Sequence, residues 1–145
     1  IAGAIAIYEG LYARNSDDLV VANNLASLLS VTASDQAAVD RAWLVARRLR
    51  NAQVPAFLDT YGWLAFLQND LAEARTALEK AARGMPEEPT IAYHLGRVYA
   101  ALKMPVEARA EFERSRGLLA QGAFAVGDLT AEVDEAVKAL DTANQ

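Results

Sequence analysis

Side chains able to do chemistry are few in this chain, and their spacing argues against a reacting centre. His94 is the single histidine and cysteine is absent, so neither a Cys/His nucleophile nor a Cys/His metal cluster can be assembled. His94 falls inside a helix-forming segment with no carboxylate beside it in sequence. The carboxylate pairs Glu73/Glu79 and Glu107/Glu113 recur at one fixed interval and read as solvated helix faces. Gly62 and Gly96 have none of the surroundings of a phosphate-binding loop. The one basic run, Arg47-Arg48-Leu49-Arg50, reads as an exposed helix end, where cations suit the helix dipole. The expectation is a chain with no catalytic residue, no metal ligand and no cofactor, and hence not an enzyme.

Composition narrows the field further. The 145 residues carry 53% hydrophobic side chains and a formal charge of −5. That is ample apolar content for one core, and a charge that disfavours a nucleic-acid partner. Few Gly and Pro, placed at intervals, favour helices. The apolar stretches are shorter than the roughly 20 residues of a membrane-spanning helix. No signal peptide is visible, and Ile1 opens directly into an apolar-periodic segment. The chain is therefore expected to be a piece of a longer protein, with its compartment open between a bacterial periplasm or cell envelope and the cytoplasm.

The elements that must position any binding residues emerge from an internal repeat. Placing residues 55–88 over residues 89–122, an offset of 34, brings Gly62 onto Gly96 and Glu73-Ala74-Arg75 onto Glu107-Ala108-Arg109. Glu79 falls on Glu113, Lys80 on Arg114, Tyr61 on Leu95 and Leu78 on Phe112. Small residues recurring at fixed places signal helices that must approach closely. Each unit reads as two helices. Pro55–Gln68 is followed by the polar turn Asn69-Asp70, with Asp70 as a cap. Leu71–Arg83 then shows Leu71, Ala74, Leu78 and Ala81 at three- and four-residue steps. Gly84 is expected to adopt the left-handed C-cap conformation, with Pro86 blocking continuation. The next unit follows the same plan with Thr90–Leu102 and Pro105–Leu118.

Upstream, Leu25-Ala26 stands 36 residues before Tyr61-Gly62. That predicts a unit over residues 18–52, with helices Asp18–Ser30 and Gln36–Arg50 and a longer turn, Val31–Asp35, between them. Ala42, Ala46 and Leu49 are its packing residues. Residues 1–16 align with the second half of a unit whose first helix is missing. Ile1, Ala4, Ile5, Tyr8 and Leu11 then form a stripe that is partly uncovered, and self-association through it is expected. Downstream, 121–127 reads as a loop, and residues 128–141 as a capping helix with Leu129, Val133, Ala136, Val137 and Leu140 on one stripe.

Period and residue types together resemble the tetratricopeptide repeat. That family's alternation of small and large positions matches Gly62 and Gly96, Ala74 and Ala108, Tyr61 and Leu95, Leu78 and Phe112. The late alanine matches Ala81 but is Ser115 in the last unit, the closing proline matches Pro86 but is Ala120, and the aromatic of the first helix is absent, with Leu58 and Ala92 there. The resemblance implies an all-α fold over residues 1–145: an α-α superhelix, a solenoid of antiparallel helix pairs closed by a C-terminal capping helix.

By the same resemblance, first helices line a concave groove. Its residues here are Asn23, Asn24, Ser27 and Ser30 in one unit, then Asp59, Thr60, Trp63 and Phe66, then Thr90, Tyr93, His94 and Arg97. Trp63, Phe66 and Tyr93 could bury apolar side chains, Asn23 and Asn24 could bond an extended backbone, and Arg97 could pair with a carboxylate. Trp63 and Phe66 could equally pack between units. No lysine stands at the groove places, so a clamp for acidic chaperone tails is not expected. "NNLASLL", "LDTYGWLAFLQNDLAEA" and "YHLGRVYAAL" are similar to phrases in bacterial tetratricopeptide proteins of envelope and exopolysaccharide systems. The expected function is a scaffold holding a protein or peptide in the groove, within an envelope assembly. The alternative is a docking or regulatory segment of a multidomain protein whose catalytic part lies elsewhere.

Overall fold

The computed structural model describes residues 1–125 and 127–143. Among these, eight α-helices follow one another: α1 (Ala2–Arg14), α2 (Leu19–Thr32), α3 (Gln36–Ala46), α4 (Pro55–Leu67), α5 (Leu71–Gly84), α6 (Pro89–Ala101), α7 (Pro105–Ala120) and α8 (Leu129–Ala143). The chain is all-α, packed as adjacent pairs, as the repeat predicts. The starts are written into the sequence. Asp18, Asp35 and Asp70 accept hydrogen bonds from the first-turn amides of α2, α3 and α5, and Glu88 does so for α6. Pro55, Pro89 and Pro105 occupy first-turn positions, where a missing N–H is harmless.

The turn within each of the two regular units is built the same way. Asn69 and Lys103 take positive φ, 63° and 61°. The amide of the next residue then reaches back into the helix, Asp70 to the Ala65 carbonyl and Met104 to that of Tyr99, both at 2.9 Å. This left-handed closure satisfies carbonyls the helix end would leave bare. The α2–α3 connection lacks it. Ala33 has φ −65°, and α2 continues to Thr32, whose hydroxyl bonds the Leu28 carbonyl at 3.0 Å. The expected turn is thus shortened to 33–35.

Gly84 departs from expectation. It ends α5 inside the helix, without positive φ. Its smallness serves packing: a Cβ there would run into the Pro55 ring. α3 also stops earlier than expected, at Ala46, with Arg47–Leu49 in a 3-10 turn. In the expected loop 121–127, Gly122 and Gly127 take positive φ, while Val126 lies outside the described residues, as do Asn144 and Gln145.

The core is layered along the array. Ala22, Leu25, Ala26, Ala42, Ala46 and Leu49 are buried at the first junction. Ala74, Leu78, Leu95 and Val98 fill the next, and Ala108, Phe112, Leu129 and Val133 the last. Gly62 is forced by Leu78, 2.7 Å from an added Cβ, with the Ala74 carbonyl oxygen at 3.3 Å. At Gly96 an added Cβ would meet the Phe112 ring at 2.5 Å. Ser115, fully buried in place of the repeat alanine, donates to the Pro89 carbonyl at 2.8 Å.

Successive first helices touch: α2 meets α4, α4 meets α6, and α6 meets α8. The outer helices α3, α5 and α7 bring no Cα atoms within 8 Å of one another among the described residues. The array therefore closes up on the α2/α4/α6 side and splays on the other. α1 packs on α2 through Ile5, Tyr8 and Tyr12, and none of its residues is fully buried. Ile1 and Ile7 are 69% and 65% exposed, and Leu11 is exposed beside them. The expected stripe is thus split: Ile5 and Tyr8 face α2, while Ile1 and Leu11 stay bare.

Candidate functional site

The side chains that meet across the α4/α6 junction come from neighbouring places in successive units. Asp59, Trp63 and Phe66 stand at three- and four-residue steps on α4, and Tyr93, His94 and Arg97 on α6. That spacing puts each set on one helix face, and the α4–α6 contact turns the two faces together. Trp63 is the hub. Its ring stacks on Phe66 at 5.1 Å and on His94 at 4.1 Å, nearly parallel to the latter at 14°. Tyr93 sits tilted at 6.3 Å.

Arg97 completes the cluster. Its guanidinium lies 5.5 Å from the Phe66 ring centre, 5.7 Å from Tyr93 and 5.9 Å from Trp63, within range of attraction by the ring faces. It also donates to the Tyr93 hydroxyl at 2.6 Å. Among the described residues no carboxylate pairs with it, so most of its donors face outward uncommitted. His94 is held in turn: its Nδ1 lies 2.7 Å from Asp59 Oδ1, both side chains being largely covered. No sequence neighbour of His94 offers this carboxylate; it comes from 35 residues away. One unit plus one residue separates them, so the pairing was legible in the repeat register and missed by reading only along the chain.

Asp59, Trp63, Phe66, Tyr93, His94 and Arg97 thus gather in one place. Tyr93 is the exception in exposure. It is 5% exposed and its ring lies 6.1 Å from Phe112 in the core, so its hydroxyl and edge face the site. Trp63 and Phe66 are half-buried: they fill the junction between units and present an edge as well. The third set, Asn23, Asn24 and Ser27 on α2, stands apart. Asn24 donates to the Tyr8 hydroxyl at 3.0 Å and Asn23 to Asn24 at 3.4 Å. The carboxamide oxygen of Asn23 is enclosed without a hydrogen-bond partner. α2 is therefore tied to α1 through Asn24, one of the two residues expected to bind a peptide backbone.

Polar ties lock the scaffold behind the cluster. Glu73 accepts from the Tyr61 hydroxyl at 2.8 Å and pairs with Arg50 at 2.8 Å, joining α4, α5 and the end of the preceding unit. Those two hydrogen bonds, Tyr61's first, hold its carboxyl below the usual carboxylate range. Tyr61 is pushed up to about 12, by burial and then by that bond. Glu79 repeats the theme one junction on, with Arg75 at 2.8 Å and the Tyr99 hydroxyl at 2.9 Å.

Beyond Arg97 the surface dips into a cavity of about 390 Å³ between α6, α7 and α8. Glu132 and Glu135 of α8 line it, with alanines from α6 and α8 as walls. In the sequence these two carboxylates read only as part of the polar face of a cap. The signal was their spacing: Glu132, Glu135, Ala136 and Ala139 follow one another at helical steps, along a line flanking the buried stripe.

Residues 65–126 match the tetratricopeptide repeat family model. No curated protein matches the chain. Among solved structures, a thermophilic TPR protein of Thermus thermophilus superposes with a TM-score of 0.68 at 18% identity, over 92% of this chain and 71% of that one. The fold is one that serves generally as a non-catalytic scaffold for protein–protein interaction. No helix among the described residues is long and apolar enough to cross a membrane. Residues 65–126 thus match the repeat in sequence, and almost the whole chain shares the fold of a tetratricopeptide repeat protein.

Proposed function

We propose that the chain holds an extended segment of a partner protein along the α2/α4/α6 side, with the α4/α6 cluster as its anchor. The observation that carries this reading is Arg97. A guanidinium laid over three aromatic rings, with no carboxylate partner among the described residues, offers donors fixed in direction beside apolar ring edges. That combination suits a peptide carbonyl or carboxylate together with an apolar side chain. Trp and Arg are also among the residue types that dominate binding energies at protein interfaces. Asp59 and His94 hold the Trp63 face in place. Asn23 stands one unit away on α2, with its carboxamide oxygen enclosed, and is left outside the anchor. The setting in which such a scaffold works, an envelope assembly or the body of a larger multidomain protein, uses the same surface in either case.

The test is capture of partner from a lysate of the source cells with the intact chain and with Trp63→Ala, Arg97→Glu and Arg47→Glu variants. Trp63→Ala and Arg97→Glu should each lower capture about tenfold or more. Arg47→Glu, on an exposed turn behind the array, should leave it unchanged. Equal capture by all four proteins would place the partner elsewhere.

A further inference from the structure

The capping helix divides its carboxylates between two tasks. Asp134 and Asp141 pair with Arg116 and Arg109 of α7 and clamp α8 onto the array. Glu132 and Glu135 have no ion pair among the described residues and face the cavity beside α6. Arg97 lines the same cavity, whose walls also include Ala100, Ala136 and Ala139. A short side chain at each of these positions leaves the space open, where larger residues would fill it.

We propose that this cavity receives a lysine or arginine side chain of the bound partner. Three observations converge. The space, about 390 Å³, lies within the range of small ligand sites, roughly 300–1,000 Å³. Its alanine walls suit an aliphatic stem, which long cationic side chains bury readily while their heads stay polar. Its two uncommitted carboxylates on α8 suit the cationic head, while Arg97 at the cavity's other side spends one donor on the Tyr93 hydroxyl and keeps the rest for a backbone oxygen. Arg97 then meets the backbone carbonyl of the inserted residue. The chain's formal charge of −5 steers the same kind of partner toward it. A purely apolar residue would leave the two carboxylates without a partner, and an acidic one, though drawn to Arg97, would be repelled by both of them.

The proposal rests on the groove reading only for the path of the rest of the partner. A capped single amino acid tests the cavity alone, so its failure leaves capture through Trp63 standing. Nα-acetyl-lysine amide, its norleucine counterpart and its glutamate counterpart are titrated separately into the protein, and the amide resonances of Ala100, Ala136 and Ala139 are followed. The lysine compound should produce saturable shifts at low salt. Its apparent affinity should fall about fivefold in the Glu132→Gln/Glu135→Gln protein and fall likewise at high salt. Both substitutions are on exposed positions of α8 and leave its clamping ion pairs intact. Equal shifts from the norleucine or glutamate compound, no shift from the lysine compound, or unchanged lysine binding by the double variant would each overturn the proposal.

Discussion

The stretch from α1 to α3 and the pair of units from α4 to α7 use the same plan with different strictness. The later pair places glycine where two helices cross, Gly62 and Gly96, each with a neighbouring side chain within 2.7 Å of any added Cβ. The earlier stretch has Ala26 at that place, fully buried and accommodated. The later pair closes its inner turns with a left-handed residue and a hydrogen bond back into the helix; the earlier one uses an extended link at 33–35. And α1 contributes no fully buried residue, whereas α6 buries seven. The difference teaches that regularity in such an array is concentrated where neighbours press from both sides. A helix covered on one side only has less reason to keep the pattern.

Three measurements can break or sharpen that contrast. The largest effect is expected in native-state amide exchange. Stability in a linear array is a sum of local and nearest-neighbour contributions, so α1 should open without the rest. Its amides should exchange at least about a thousandfold faster than those of α6. Equal protection would show one cooperative unit and no gradient.

Next is the crossing itself. Gly96→Leu and Gly62→Leu should each cost roughly 1–3 kcal/mol in urea unfolding. Gly96 should be the more sensitive, because the obstructing group is the buried Phe112 ring. Ala26→Gly, the reverse change in the earlier unit, should cost only about 1 kcal/mol, the ordinary penalty of glycine in a helix. An unchanged midpoint for Gly96→Leu would show that the crossing has room and that the 34-residue alignment misplaces it.

The smallest effect lies in the turns. Lys103 holds φ 61° without the freedom of glycine, so Lys103→Gly should stabilise by roughly 0.5–1 kcal/mol. Asn69→Gly should gain less, since asparagine tolerates that conformation better. Ala33→Gly, at an ordinary negative φ, should lose stability through the more flexible unfolded chain. Thermal melts that rank the three otherwise would erase the distinction between the two kinds of turn.

Much of this architecture was legible in residue spacing. Caps at Asp18, Asp35 and Asp70, prolines at first turns and small residues at fixed intervals act locally, and the order along the chain reports them. What was missed lies across the chain. Gly84 looked like a terminator because glycine often ends helices; its actual constraint, the Pro55 ring, comes from the start of the preceding helix. At Gly96 the nearest obstruction to a side chain is the Phe112 ring, which the recurrence of small residues did not announce. At the candidate site, Trp63, Phe66, His94 and Arg97 were expected together from the resemblance to the repeat family. The His94–Asp59 bond and the cavity carboxylates left a trace in the spacing, but which faces meet across units depends on how far each helix pair rotates against the next. That rotation is a sum of side-chain volumes, which no single spacing encodes.

The one-sided contact between successive units also has a mechanical meaning. Inner helices α2, α4 and α6 form a continuous spine, while α3, α5 and α7 leave their backbones apart. Under tension or compression such an object bends about its spine, with the outer gaps widening or narrowing at small energetic cost. The Arg75–Glu79 pair lies within α5 and reaches the next unit only through hydrogen bonds to Met104 and Tyr99, which side-chain rotation can adjust without breaking a helix. The chain should therefore behave as a weak spring of low flexural stiffness. Its curvature would relax to the length of whatever it grips, and it would recoil when released.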